Sequence, residues 1–428
     1  MKYYSIMPLA TPGRVTQWTR RQEPMVDSSR AGNRLGLWLT LSLMTLVQAF
    51  ATMATLTMAT IAPEVGAALG LPVAAIGYHV SLIYLGAVAT SLYGGVLVRR
   101  FGACLVSQAA LTMAAVGCLL LAMADLAAAM LGSIALGFGY GLTNPAASHL
   151  LARVAGTRIN LVFSIKQAGV PLGGVAAGAL MPQIALALGW QAAPLAAAAI
   201  LGVLVLALVP LRQRWDDDRE PGQSLLQRPY QALVLVLSAP VLRWLAASSF
   251  AFAFVQTCVS AFLVSMLVGD FRFGLVVAGL LLSVTQVAGF IGRLVWGMVA
   301  DRLSDGIATL AIIAGLMVVA AGLTAMTGPT WPIWAIGAVF VLFGASALGW
   351  NGVYLAAVAR ASAPEQVGTA TGGGLSVAFA GVMIGPTTFA AVHTGLDIDF
   401  AATYGLLTLV AGAGLVCLWL ARRARLAA

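Results

Sequence analysis

The sequence predicts an all-α membrane protein with twelve transmembrane helices in two six-helix bundles. Hydrophobic residues make up 61% of its 428 residues and charged residues 9%, against about 45–50% and about 25% in soluble domains. Its apolar runs reach the roughly 20 residues that a helix needs to cross a bilayer. Runs such as 195–209 do not alternate, as barrel strands must. The halves also repeat, since one fixed offset places Gly95 on Gly297, Ser81 on Ser283, Arg100 on Arg302 and Ser91 on Arg293.

The elements follow in order. Residues 1–35 carry Lys2, Arg14, Arg20, Arg21, Arg30 and Arg34 without an adjacent apolar core, which predicts a basic cytoplasmic tail and not a cleaved signal peptide. The first bundle, 36–211, has predicted spans at 36–61, 74–98, 104–123, 127–150, 159–182 and 191–211. Arg99 and Arg100 end the second, Arg153 and Arg158 follow the fourth, and Arg212 follows the sixth. Residues 212–243 open with Asp216, Asp217, Asp218, Glu220, Pro221 and Gly222, the composition of a cytoplasmic linker. The second bundle, 244–420, has spans at 244–268, 274–299, 306–326, 332–357, 369–391 and 400–420. Arg302 follows the eighth span and Arg360 the tenth, and Arg422, Arg423 and Arg425 lie in the tail 421–428.

With alternating spans, only Arg272, Lys166 and Arg293 of the 23 basic residues fall outside the tails and loops of one side. Basic residues favour the cytoplasmic side, so both termini are expected there, in a multi-pass protein of a bacterial cytoplasmic (inner) membrane. The net charge of +9 expresses this bias and implies no nucleic-acid partner.

Lys166 and Arg293 are the only charged residues inside the predicted spans. Each costs roughly 2.5–3.5 kcal/mol near the bilayer centre. All 14 acidic residues lie in tails, linkers or loops, so an anionic substrate is the candidate counter-ion. Lys166 suits one anionic group on a flexible stem, and Arg293 can hold a carboxylate through two parallel N–H···O bonds. Both lie about 10–12 Å from the cytoplasmic surface at roughly 1.5 Å per residue. Snorkelling is therefore open to both, and Arg293 can alternatively reach Asp301 or helix-end carbonyls.

Neutral polar groups extend the candidate substrate site. Gln48, Tyr84, Asn144, Gln167, Gln256, Gln286 and Asn351 stand in apolar helices and need partners, and Trp350 and Tyr354 are candidate cavity walls. Asn144 and Asn351 are repeat-related. Pro171 cannot donate to the carbonyl of Gln167, which predicts a weakened turn beside Lys166. The stretch Gly372, Gly373, Gly374, Gly381, Gly385 and Pro386 is its expected counterpart in span eleven.

Other chemistries lack their residues. Lys2 and Lys166 are the only lysines, so there is no phosphate-cradling Gly-x-x-x-x-Gly-Lys loop. Cys104, Cys118, Cys258 and Cys417 lack metal-like spacing, and His79, His149 and His393 are scattered. The expectation is a carrier without cofactor or metal, and not an enzyme.

The segment Gly297-Met-Val-Ala-Asp301-Arg302 resembles the signature loop of the major facilitator superfamily in its second-half copy. The first-half copy keeps Gly95, Arg100 and Gly102 but has Arg99 where the family's Asp stands. The resemblance implies the major facilitator fold, and a cytoplasmic latch at Gly95, Arg100, Gly102, Gly297, Asp301 and Arg302 that is degraded in the first half. Ser164 to Gly174 and Gly349 to Gly352 resemble a bacterial permease branch. Gly292-Arg293-Leu-Val-Trp-Gly297 resembles the span-eight region of monocarboxylate and oxalate/formate carriers, with Gly289 where those carriers often have an acid. Drug/proton antiporters usually have a span-four Arg where Ser133 stands here, and the Gly-Pro pattern of their fifth span is only approximated by Gly169 to Gly174.

The expected function is secondary active transport of a small organic anion, a carboxylate, by alternating access in a monomer. The only partners expected are the bilayer and a coupled proton or exchanged anion. Without a carboxylate in the spans, exchange or proton symport is favoured over proton antiport. The alternative is an efflux carrier for amphipathic or neutral molecules whose basic pair serves the gate.

Overall fold

The computed structural model describes residues 28–154, 159–222, 230–363 and 366–427, with side chains described in these except at 28–35, 159–161, 230 and 231. Lys2, Arg14, Arg20, Arg21, Arg158 and Arg228, which enter the expected charge bias, lie outside them. Among the described residues there is no strand, and twelve helices are long and apolar enough to cross a membrane. The first six are Gly36–Thr60, Val73–Phe101, Ala103–Leu121, Leu126–Val154, Val162–Leu188 and Ala192–Trp215. The second six are Pro240–Gly269, Leu275–Leu303, Gly306–Met326, Ile333–Arg360, Val367–Leu396 and Phe400–Ala427. Each overlaps its predicted span.

The helices run further than hydropathy indicates. The first begins at Ser28, inside the expected tail, and the last continues through Arg422, Arg423 and Arg425 to Ala427. Hydropathy ends where lipid ends, whereas the backbone hydrogen-bond ladder continues into the headgroup layer. The expected linker 212–243 holds a short helix, Tyr230–Ser238. It packs on span eleven, where Gly373 sits against the Ala232 carbonyl with no room for a Cβ.

Within the first half, span one packs on span five, span two on four, and span three on four and six; in the second, seven packs on eleven and twelve, eight on ten, and nine on twelve. The halves meet along spans five and eight, two and eleven, and one and seven. Away from the chain termini this seam is shut. Gly178 and Gly279 face each other's backbones without space for a Cβ, and Gly77 abuts the Pro386 carbonyl. Ser283 donates to the Val175 carbonyl at 3.0 Å, and Thr387 donates to Ser81 at 2.7 Å. Towards the termini the packing loosens: a Cβ at Gly95, Gly297, Gly352, Gly368 or Gly372 would meet nothing within 4 Å. Small residues at the tight end let backbones meet closely, which is the main source of helix association in lipid.

Spans five and ten are interrupted. Span five breaks after Gln167 and resumes at Gly169, beside Pro171 as expected. Span ten breaks between Ala347 and Asn351. Span eleven, by contrast, runs as one uninterrupted helix from Val367 to Leu396 with Pro386 inside it. Its glycines serve packing: Gly374 lies under the Tyr354 hydroxyl, and Gly381 and Gly385 lie on Phe250 and Phe254.

Candidate functional site

Lys166 is the next-to-last residue of the first segment of span five, just before the break, and is only 2% exposed. Its ammonium donates to Gln48 Oε1 at 2.9 Å, to Gln167 Oε1 at 3.1 Å and to Asn144 Oδ1. An ammonium has three donors, so all are used. Gln48 is held in turn by its Nε2, which donates to Thr52 at 3.3 Å. The ammonium is therefore enclosed by amides of spans one, four and five. Sequence reasoning read the lack of acids as a lack of partners; the amides are the partners, and they solvate the charge without neutralising it.

Arg293 follows the same logic with backbone acceptors. Because Pro171 has no N–H, the Gln167 carbonyl has no helical donor, and Arg293 Nη1 donates to it at 2.9 Å. Its Nε donates to Leu348 O at 2.9 Å, in the break of span ten. One turn along, Trp296 Nε1 donates to Ala345 O at 2.8 Å. Span eight thus fastens the break in span ten and reaches across the seam to the break in span five. Of the expected roles for Arg293, the helix-end carbonyls are the partners found, and Asp301 is not among them.

Tyr84, Gln256 and Gln286 line a chamber of about 60 Å³ between the bundles, with Thr52, Thr55, Tyr140, Thr257 and Ser260. At roughly 30 Å³ per water it has room for about two waters. Gln286 Oε1 is buried there without a protein partner. Tyr84 and Tyr140 meet edge to face at 5.8 Å. Trp350 and Asn351 stand behind the chamber and donate to Gln256 Oε1 at 3.0 and 3.3 Å. Tyr354 packs on Trp350 at 5.5 Å, and its buried hydroxyl has no hydrogen-bond partner.

All the expected substrate-site residues are thus within one contiguous region. Gln48 and Gln256 hold matching places in spans one and seven, as Asn144 and Asn351 do in spans four and ten. In the second half the two amides touch; in the first, Lys166 stands between them. Tyr140, Thr52, Thr55, Thr257 and Ser260 were missed. The signal for two of them was present, since Thr45, Gln48, Thr52 and Thr55 recur at helical spacing on one face of span one.

Among the described residues no ion pair joins the expected latch residues. Asp301 and Arg302 are exposed, and among the described residues neither enters an ion pair. Arg100 lies over the Phe101 ring. Among the described residues the ion pairs join Arg153 with Asp217 at 2.7 Å and Asp218 at 3.2 Å, His149 with Asp218 at 2.8 Å, and Arg425 with Asp305 at 2.7 Å, none of them between the two halves of the chain. Among the described residues no cluster of metal-ligating side chains occurs. Cys104, Cys118 and Cys258 are buried, Cys417 is half-buried, and all are free thiols.

Two repeated six-helix bundles that close on a buried polar chamber in a multi-pass membrane protein define a transporter. The family model of the Major Facilitator Superfamily matches residues 41–386, and the chain belongs to that superfamily. No curated protein sequence matches the chain. Among solved structures, the nucleoside transporter NupG, crystallised as a mutant, superposes with a TM-score of 0.73 at 18% identity, over 91% of this chain and 99% of that one. A POT family transporter in complex with 5-aminolevulinic acid gives 0.71 at 14%, over 90% and 96%. A bacterial homologue of the human lysosomal transporter Spinster, in an inward-facing and occupied conformation, gives 0.70 at 14%, also over 90% and 96%. At these identities the likeness shows the fold alone.

Proposed function

We propose that the chain carries a small organic anion, a carboxylate, by alternating access at the chamber between the bundles. The observation that supports this most is that Lys166 and Arg293 hold only neutral oxygens. Two positive charges therefore stand uncompensated beside a chamber whose walls carry hydroxyls and amides. A carboxylate forms stronger bonds to these cations than an amide does. At about 4 Å its attraction to one of them is about 4 kcal/mol at an effective dielectric of about 20. The side chains of Gln48 and Gln167 can rotate away, so the anion takes the place of an amide oxygen at Lys166.

The expected orientation belongs to the same reading: termini in the cytoplasm of a bacterial cell, with the shut end of the seam outside. Coupling by anion exchange or anion/proton symport fits spans whose one carboxylate, Asp301, lies exposed at the end of span eight. The residue set 1–35, 36–211, 212–243, 244–420 and 421–428 remains the proposed division into tail, bundle, linker, bundle and tail.

The alternative, an efflux carrier of neutral or amphipathic molecules, draws on the completeness of the Lys166 and Arg293 bonds, which suits a purely structural pair. Calorimetry of the purified protein against a panel of carboxylates and neutral drugs separates the two. Binding of a carboxylate that is lost in both Lys166→Gln and Arg293→Gln proteins supports anion transport. Binding of neutral compounds alone, unchanged in either variant, would falsify it.

A further inference from the structure

The matching amides of the two halves are used differently. Gln48 is engaged at both terminal atoms: its Oε1 accepts from Lys166 at 2.9 Å and from Thr143 at 3.4 Å, and its Nε2 donates to Thr52 at 3.3 Å. Gln256, its counterpart in span seven, has no charged partner among the described residues. Its Oε1 accepts from Trp350 Nε1 at 3.0 Å and from Asn351 Nδ2 at 3.3 Å. An indole N–H can only donate, so the atom it meets is the amide oxygen, and the other terminal atom of Gln256 is the nitrogen. The chemistry of the partner thus fixes which way this amide points.

That nitrogen is open. It enters no hydrogen bond among the described residues, yet it is not one of the buried atoms left without a partner, so it keeps accessible surface. Gln256 is half-buried in a run, 251–259, whose other members are all buried, and it lines the central chamber. The surface it keeps belongs to that chamber, and its two N–H donors are offered there. On the same wall the hydroxyls of Thr52, Thr55 and Thr257 donate to carbonyls of their own helices at 2.9, 2.8 and 2.8 Å.

We infer that Gln256 determines specificity: the substrate carries, besides its carboxylate, an uncharged oxygen, keto or hydroxyl, that accepts from Gln256 Nε2, and Trp350 and Asn351 are positioning residues that aim the amide. The inference rests on the reading of the chamber as the site of a carboxylate carrier. Lys166, in span five of the first bundle, serves the carboxylate, so Gln256, in span seven of the second, meets a different part of the molecule. A plain hydrocarbon chain or an ammonium offers this nitrogen no lone pair. A second carboxylate is disfavoured there, because a neutral amide does not offset the burial of its charge. The two bonds donated into Oε1 polarise the amide and strengthen its N–H groups as donors.

The test is calorimetry of the full chain in detergent with pentanoate, hexanoate and heptanoate, and with the oxo and hydroxy acids that carry their oxygen on the penultimate carbon of each. One uncharged hydrogen bond should let the best oxo or hydroxy acid bind roughly three- to tenfold more tightly than its parent. Gln256→Met, similar in length and without a donor, should abolish that ratio. Trp350→Phe keeps a ring and removes one of the two bonds that aim the amide, so it should lower the same ratio, which a packing defect alone would leave unchanged. If one variant does not fold, the wild-type comparison and the other variant decide. Equal binding of parents and their oxo and hydroxy acids by the wild type, or a preference undiminished in Gln256→Met, overturns the inference and leaves the carboxylate reading standing. Binding of none of these acids overturns both.

Discussion

The carboxylate of Asp216 occupies the space in which Gly102 would carry a side chain. Gly102 joins spans two and three with φ +95°, a conformation that glycine adopts without strain. Asp216, just past span six, accepts there from the amides of Cys104 at 2.6 Å and Leu105 at 3.0 Å. It thereby caps span three from a distant part of the chain. The second half solves the same problem differently: Asp305 caps span nine from within its own loop, and Arg425 at the end of span twelve bonds it.

Gly102→Ala should therefore destabilise the protein twice over, through positive φ and through displacement of the cap. The expected loss is about 2 kcal/mol or more. Asp216→Ala should lose about 1 kcal/mol by the cap alone. Thermal unfolding in one detergent measures both, and a Gly102→Ala protein as stable as wild type would refute the steric account.

Asp305 predicts a pH dependence. Its hydrogen bonds with Arg425, opposed by burial and aided by the Ala308 and Ile307 amides, hold its carboxyl down to about 2 from an ordinary 3.8. A carboxylate depressed on folding adds stability above its unfolded value and loses it as pH falls towards the folded one. The contribution should be intact above about pH 4 and gone near pH 2. Since Arg425 is 44% exposed, it amounts to about 1 kcal/mol at most. Asp305→Asn, which keeps a capping oxygen, should flatten the wild-type decline across that window in melting curves.

Pro171→Ala gives the Gln167 carbonyl back a helical donor. That donor competes with Arg293 Nη1, so the bond across the seam should weaken and span five should straighten. Cysteine accessibility from the two membrane sides should change while the melting temperature stays near that of wild type. An unaltered accessibility pattern would mean that the break in span five does not depend on the proline.

Lys166→Met removes the charge, strips the Gln167 and Asn144 side-chain oxygens of this donor and leaves Gln48 Oε1 only the long bond from Thr143 at 3.4 Å. Each unsatisfied buried acceptor costs about 1–3 kcal/mol, so a lower melting temperature should accompany lost anion binding. Lys166→Gln should fold better and still fail to bind. Carboxylate affinity retained in a folded Lys166→Gln protein, read by calorimetry, would remove Lys166 from the proposed site.

Asp301 is exposed and enters no ion pair among the described residues, so Asp301→Asn should leave the stability of this conformation unchanged. If the latch forms in the opposite conformation, the variant should shift the population towards the present one by about 1–3 kcal/mol. Side-specific cysteine labelling reads the shift.

The twelve spans, their pairing into repeats and the weak turn at Pro171 could be read from the sequence because each depends on local composition or on a single backbone donor. A bilayer lets a polar backbone cross only as a helix or a closed barrel, so apolar runs alone define the spans. That the charged pair lies without acids inside the spans was equally legible. What answers those charges was not. Gln48, Asn144 and the Leu348 carbonyl come to Lys166 and Arg293 from other helices, and the Gln167 carbonyl comes to Arg293 from across the seam; which helix faces which is set by packing of small residues such as Gly178 and Gly279. Span eleven shows the same limit: its glycines and proline read as the counterpart of the break in span five, yet the helix is uninterrupted and Phe250, Phe254 and Tyr354 press on the glycines. A residue's donors and acceptors are written in the sequence, but their partners are fixed only when the helices meet.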